Sequence, residues 1–388
     1  MNIEENFILS ILRRLVAGTE NESTRHLTND PALNWNKIEA LLFEHGIAPL
    51  VYPVLNSLDA PIPQKIKESL KSCYYFILLQ NLISDREFIR IKSVFVRSNV
   101  SLVPIKGTAF LQDVYARSFV RPMVDMDFLV KEGDFLRAQD ALKESGYKKD
   151  LEGLQESYWR NHQCHIVFRK NAPQEAKNMH IDLHWALDFK RKGTTILPRM
   201  WERVREIKTD SHTITLLSPE DNLFSLALHQ RRFGKIINLK YALDVALILR
   251  KYDDFDWDYI IRESHKGKMC SCVFFILSQT KYFLGIDVPA GIWRALGVSP
   301  FKQKIIQSFI AKNAFKSSSR KNLKKIYLGS HFLLYDNFRE PLEYVINIPI
   351  EQFAKFYGIS PYTKRTRFYY NNRLWYMPFK FIKEGVND

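Results

Sequence analysis

At 388 residues the chain is long enough for two or three packed units, and an apolar content of 46% is too high for a disordered polymer. No uninterrupted apolar run reaches the length of a membrane span, and the acidic start Met1–Asn6, passing at once into a helical pattern, does not resemble a signal peptide. A formal charge of +15 calls for an anionic partner.

Residues 1–95 read as helical. The spans Ile3–Val16, Trp35–His45 and Ile66–Val96 carry apolar residues at helical spacing, punctuated by Gly46, Pro49, Pro61 and Pro63. A second unit, residues 96–216, opens with the apolar run Ser101-Leu102-Val103-Pro104-Ile105, which ends at Lys106-Gly107 before an amphipathic helix over Thr108–Tyr115. Glycine at such a strand-to-helix turn lets the backbone approach a ligand, and the free N–H groups of Gly107 and Thr108 suit an anion. Lys106 adds a point charge for phosphate.

Met123–Val130 alternates as a strand, with Asp125, Asp127 and Leu129 on one face and Met126, Phe128 and Val130 on the other. Alternate strand residues lie roughly 7 Å apart at Cα, so both carboxylates can converge on the same ions. Mg²⁺ takes hard oxygen ligands, usually one or two carboxylates plus substrate phosphates. Two such ions can activate an attacking oxygen and neutralise the leaving one. The motif alone is weak evidence: Asp254-Phe255-Asp256 and Asp256-Trp257-Asp258 repeat it in what reads as a polar loop capping the helix from about Tyr259.

Cys164–Phe168 reads as another strand, joined through the polar stretch 169–178 to a strand over Met179–Trp185. There His180, Asp182 and His184 share one face, and Ile181, Leu183 and Trp185 the other. Asp182 is then placed to join Asp125 and Asp127 as a third carboxylate and to help deprotonate an attacking hydroxyl. The same face, with His165 near it, is a weaker match to a zinc site.

Lys106-Gly107, Arg121-Pro122, Asp125-x-Asp127 with its apolar tail, and Ile181-Asp182-Leu183-His184-Trp185 together resemble the uncharacterised nucleotidyltransferase family of the polymerase-beta-type superfamily. The resemblance runs on through Leu217-Ser218-Pro219-Glu220-Asp221 and Leu228-His229 to Leu243-Asp244-Val245, covering about residues 35–285. It implies an α+β fold, a small mixed sheet flanked by N-terminal and C-terminal helical regions. It also implies Asp125, Asp127 and Asp182 as catalytic metal ligands for two Mg²⁺ ions, with Mn²⁺ as the alternative. The expected reaction moves a nucleoside monophosphate from a nucleoside triphosphate, such as ATP, to an acceptor hydroxyl and releases pyrophosphate. Val124 stands where the family usually has glycine, and Thr108 where the superfamily usually has serine.

The third unit, residues 217–388, begins with a helix signature at Ser218-Pro219-Glu220-Asp221: a serine cap, proline in the first turn, then acids. In this superfamily a helical region packs beside the sheet and leaves the nucleotide between them. Arg232 and Lys240 are the expected triphosphate contacts there, joining Lys106, Gly107, Thr108 and Arg121. Arg121 has a second expected role, orienting Asp125 or Asp127 by a bidentate pair. His229 reads as a hydrogen-bonded cleft histidine.

From Phe301 onward sixteen basic residues face six acidic ones. They suit an anionic substrate, nucleic acid, or an anionic membrane surface reached through the basic and aromatic stretch Arg367–Phe381. That stretch can equally dock on the protein's own core. Cys73, Cys164, Cys270 and Cys272 form no disulfide framework or paired zinc motif, which points to reduced thiols and a cytoplasmic protein, peripheral to the membrane at most. Two rival readings keep the fold and change the function, one to a scaffold without catalysis and the other to a modifier of protein or RNA.

Overall fold

The computed structural model describes residues 1–18, 30–58, 61–116, 118–171, 179–189, 197–208, 213–233, 237–315 and 332–373. The N-terminal helices are α1 (Ile3–Ala17), α2 (Trp35–Glu44), α3 (Ala48–Ser57) and α4 (Gln64–Arg97). Three of these follow the apolar spacing in the sequence. The fourth, α3, does not, because Pro49 reads as a breaker. Pro49 instead sits in the first turn, where no N–H is needed, and Pro53 lies inside the helix.

The sheet carries five strands in the order β1-β2-β5-β4-β3. They are β1 (Val103–Pro104), β2 (Met126–Leu129), β3 (Lys148–Asp150), β4 (His165–Lys170) and β5 (Met179–His184). β2 and β5 run parallel, while β1, β4 and β3 are antiparallel to their neighbours. The pairing of β4 with β5 is the expected hairpin; its connection, 172–178, lies outside the described residues. Between strands come α5 (Lys106–Gln112), α6 (Phe135–Glu144) and α7 (Glu156–His162). The strand carrying Asp127 is shorter than the alternation suggests. Asp125 lies in a bend just ahead of β2, not on it, and α5 starts at Lys106, two residues earlier than expected.

A short helix α8 (Leu197–Glu202) and a separate hairpin of β6 (Arg205–Lys208) and β7 (Thr213–Leu216) lead into the C-terminal helices. Those that matter for the site are α9 (Pro219–Phe233), α10 (Leu239–Lys251), α11 (Trp257–Lys266) and α12 (Cys270–Leu284). Beyond them lie α13 (Ala290–Ala295), α14 (Pro300–Asn313), α15 (Arg339–Ile346), α16 (Ile350–Tyr357) and α17 (Lys364–Asn371). The caps fall where the sequence put them. Ser218 Oγ accepts from Asp221 N at 3.1 Å, and Asp256 Oδ1 accepts from Tyr259 N at 2.9 Å, which accounts for the second Asp-x-Asp run.

Two hydrophobic clusters organise these elements. One face of the sheet (Met126, Phe128, Ile166, Phe168, Ile181 and Leu183) packs on α6, α7 and the C-terminal half of α4 through Phe88, Ile91 and Phe95. Each fully buried Phe or Leu there contributes about 1.5–3 kcal/mol. The other cluster joins α1–α3 and the start of α4 to α9, α10 and α12, so both helical regions share one core. The 34-residue α4, about 50 Å long, belongs to both clusters. This division leaves the second face of the sheet, the one bearing Asp127, Asp182 and His184, turned to the helical half.

No helix among the described residues is long and apolar enough to cross a membrane. The described part of the basic and aromatic tail docks on its own chain. Tyr370 Oη donates to Ile348 O at 2.8 Å, Arg373 Nη2 donates to Ile346 O at 2.6 Å, and the Phe353 and Tyr370 rings meet edge to face at 5.6 Å. Phe368 stays exposed, and residues 374–381 of that stretch lie outside the described residues.

Candidate active site

Parallel pairing of β2 with β5 puts Asp127 directly beside Asp182. Antiparallel pairing of β5 with β4 puts His184 opposite His165, and their rings stack with centroids 4.8 Å apart and planes 19° apart. Period-2 geometry therefore gathers two carboxylates and two imidazoles on one face. Asp125 adds a third carboxylate from the bend, close enough that its charge bears on both other acids.

Lys106 reaches this face from the turn after β1. Its ammonium donates to Asp127 Oδ1 at 2.5 Å and lies 3.4 Å from His184 Nε2, while His184 Nε2 lies 2.9 Å from Asp127 Oδ1. The Lys106 backbone is left-handed, with φ of 52°, a conformation that costs a residue with a side chain about 1–2 kcal/mol. Gly107 follows because nothing larger fits. A Cβ there would stand 2.6 Å from Arg121 Nη1 and 2.9 Å from Met123 Cγ and Sδ.

Electrostatics separate the three acids. Burial and the nearby Asp127 carboxylate push Asp125 up to about 6. Burial, Asp127 and Asp125 raise Asp182 well above the usual carboxylate range. Burial works against the charge on Asp127 too, but Lys106 and His184 hold it well below that range. Burial and the charge on Lys106 bring His184 down to about 4, so its ring is neutral at pH 7. One carboxylate is thus fully compensated and the other two are not. Three mutually repelling carboxyls crowd here beside the Lys106 ammonium, an environment suited to a hard divalent ion.

The second row is cationic. Arg232 on α9 donates to Cys164 Sγ and, at 3.1 Å, to His165 Nδ1. Because guanidinium only donates, His165 Nδ1 is the acceptor and the ring proton is on Nε2, which lies 3.3 Å from Asp182 Oδ2. Lys240, at the start of α10, lies 3.4 Å from Pro122 O, and burial together with the Arg121 charge lowers it to about 8. His229 packs on Tyr241, 3.0 Å from its hydroxyl.

Arg121 departs from expectation. It forms a bidentate pair, but with Asp244 on α10 rather than with Asp125 or Asp127: Nε to Oδ1 is 2.8 Å and Nη2 to Oδ2 is 2.6 Å. Tyr115 Oη donates to the same carboxylate at 2.9 Å. Both members of the pair are buried, and the guanidinium lies under Gly107. Arg121 therefore holds the turn against the helical half. Thr108 is buried as well, its hydroxyl without a hydrogen-bond partner, and it lines a small gap with Ser84, Asp85 and Gln112 of α4 and α5. Of the groups expected to surround the triphosphate, Lys106, Arg232 and Lys240 bear electrostatically on the carboxylates, while the Arg121 side chain is engaged with Asp244 and Thr108 lines the small gap beside α4. Sequence reasoning gave no role to the Asp127–His184 contact or to Cys164. The Asp-x-His spacing on β5 was the available signal.

A small mixed sheet whose adjacent parallel strands present carboxylates to a neighbouring helical half defines a nucleotidyltransferase core. The model of the uncharacterised nucleotidyltransferase family matches residues 31–285, and the chain belongs to that family. The extent agrees with the resemblance read from the motifs. No curated protein matches the chain, and no solved structure does.

Proposed function

We propose that the protein transfers a nucleoside monophosphate from a nucleoside triphosphate to an acceptor hydroxyl, releasing pyrophosphate, in a magnesium-dependent reaction. The observation that carries this reading is the lateral pairing of Asp127 with Asp182, with Asp125 beside them and two of the three carboxyls driven toward protonation by burial and by the Asp127 charge. Asp125, Asp127 and Asp182 would hold Mg²⁺ or Mn²⁺. When bound, the metal supplies charge neutralisation on the transferring phosphate and activation of the attacking oxygen.

The chain's own groups do the rest. Lys106 and Lys240 offset phosphate charge, and the N–H groups of Gly107 and Thr108 face the anion. The acceptor oxygen attacks the α-phosphorus, the bond to the β-phosphate oxygen breaks, and pyrophosphate leaves. The hydroxyl proton passes to Asp182, the acid whose proton affinity burial and its neighbours raise well above the usual range and which lies 3.3 Å from His165 Nε2. The exposed cations Lys364, Arg365 and Arg367 give an anionic acceptor, nucleic acid or a lipid surface a place to approach.

The test is label transfer from α-labelled triphosphates to a cell-extract fraction. Asp127→Asn should lower it by about 10²–10³-fold or more, the loss of several kcal/mol of transition-state stabilisation, with the circular dichroism spectrum unchanged. A folded Asp127→Asn protein that still transfers label at wild-type rates would defeat the proposal.

A further inference from the structure

The proposed mechanism leaves one wall of the site unused, and that wall is an imidazole. Asp127, Asp182 and His184 each offer one ligand atom, all within 4.8 Å of one another. The other ring nitrogen of His184, Nδ1, lies 3.3 Å from Ala186 O. A carbonyl only accepts, so this contact favours Nδ1–H, while Asp127 Oδ1, an acceptor 2.9 Å from Nε2, competes for the ring proton. An ion at Nε2 would take the place of the proton that Asp127 draws there and leave Nδ1–H on the carbonyl. The Lys106 ammonium already puts positive charge within reach of both atoms, 2.5 Å from Asp127 Oδ1 and 3.4 Å from His184 Nε2.

We infer that His184 Nε2 joins Asp127 and Asp182 in holding a divalent cation, that the site takes Mn²⁺ ahead of Mg²⁺, and that Lys106 is a placeholder which the ion displaces toward the phosphates. Its functional meaning rests on the nucleotidyl-transfer reading of the same carboxylates. Mg²⁺ keeps to oxygen, whereas imidazole is a good ligand for first-row transition ions. An Nδ1–H to backbone carbonyl bond is the support that metal-binding histidines commonly have, since it fixes the tautomer and aims Nε2. Here the stacked His165 ring, itself held by Arg232, fixes the plane as well. The neighbouring trio Cys164, His165 and His184 is the poorer site, because the Arg232 guanidinium already contacts the sulfur and the His165 nitrogen.

The test uses metal-free, full-length protein titrated with Mn²⁺. Continuous-wave electron paramagnetic resonance counts free ion, and a pulsed measurement reads nitrogen coupling to the bound ion. The wild type should show ¹⁴N coupling, and Mg²⁺ should displace Mn²⁺ only in large excess. His184→Gln should lose the coupling and bind Mn²⁺ at least about tenfold more weakly, the lower end of what losing a supporting partner costs metal sites. Lys106→Met, which spares the imidazole, should keep the coupling and bind Mn²⁺ more tightly than wild type when no nucleotide is present. Asp127-dependent Mn²⁺ binding without nitrogen coupling would overturn the inference and leave the carboxylate chemistry standing. Weaker Mn²⁺ binding by Lys106→Met would overturn the placeholder role. Absence of any Asp127-dependent metal binding would remove both this inference and the proposed function.

Discussion

Asp244→Asn tests how the sheet is fastened to the helices. Asp244 is fully buried and accepts two bonds from Arg121 and one from Tyr115. Neutralising it strands the Arg121 guanidinium, whose pKa burial lowers but whose partner raises it well past the usual arginine range. Breaking one side of such a pair costs about 3–5 kcal/mol. Replacing both charged residues, as in Arg121→Met with Asp244→Leu, removes the stranded charge and leaves only the orphaned Tyr115 hydroxyl, worth about 1–3 kcal/mol. The double variant should therefore be more stable than Asp244→Asn alone. Urea unfolding of wild type and both variants, followed by tryptophan fluorescence and circular dichroism, measures the differences. A loss below about 1 kcal/mol for Asp244→Asn, or a double variant worse than the single one, would refute the reasoning. Arg121 would then be free for the phosphate role that the sequence suggested.

Lys240→Met should stabilise the protein near pH 7 by up to about 3 kcal/mol, because burial and Arg121 lower the lysine in the folded state to about 8 from 10.5. The unfolded chain then binds more protons between those values, so wild-type stability rises with pH there and the advantage of the variant shrinks toward zero by about pH 10.5. Thermal melts at about pH 7 and about pH 10 decide it, and weaker triphosphate binding by the variant should accompany the gain. Gly107→Ala should destabilise by about 1–3 kcal/mol, as overpacking does, since the new methyl meets Arg121 and Met123 inside normal contact distance. An unchanged urea midpoint would show that the turn has room. Thiol titration with an aromatic disulfide should find one fast group in the native protein, the half-buried Cys73, and four after unfolding. Two or more fast thiols would contradict the burial of Cys164, Cys270 and Cys272.

Some of the site was legible because strand alternation is a local signal. His180, Asp182 and His184 had to share a face once Met179–His184 was a strand, and Asp127 had to oppose the apolar Met126 and Phe128. Helix caps at Ser218 and Asp256 were equally local. The bend that takes Asp125 off the strand was not, since Val124-Asp125-Met126-Asp127-Phe128 alternates without a break. The β6–β7 hairpin also escaped, because Arg205–Lys208 mixes charge on both sides of a short strand.

What the sequence determined by itself was most of the pieces: the long helices and the strands that carry the acids, which side chains lie together on one element, and that three acids and a Lys-Gly turn are available. Side-chain periodicity follows from backbone geometry within a few residues, so it can be read along the chain. Which strand lies beside which, and which distant charge neutralises which, depends on how separate apolar faces find a common core. Only the tertiary structure could put Asp127 against His184 across 57 residues and give Arg121 to Asp244 across 123. A buried charge must take the partner that folding brings within reach, wherever that partner lies in the chain.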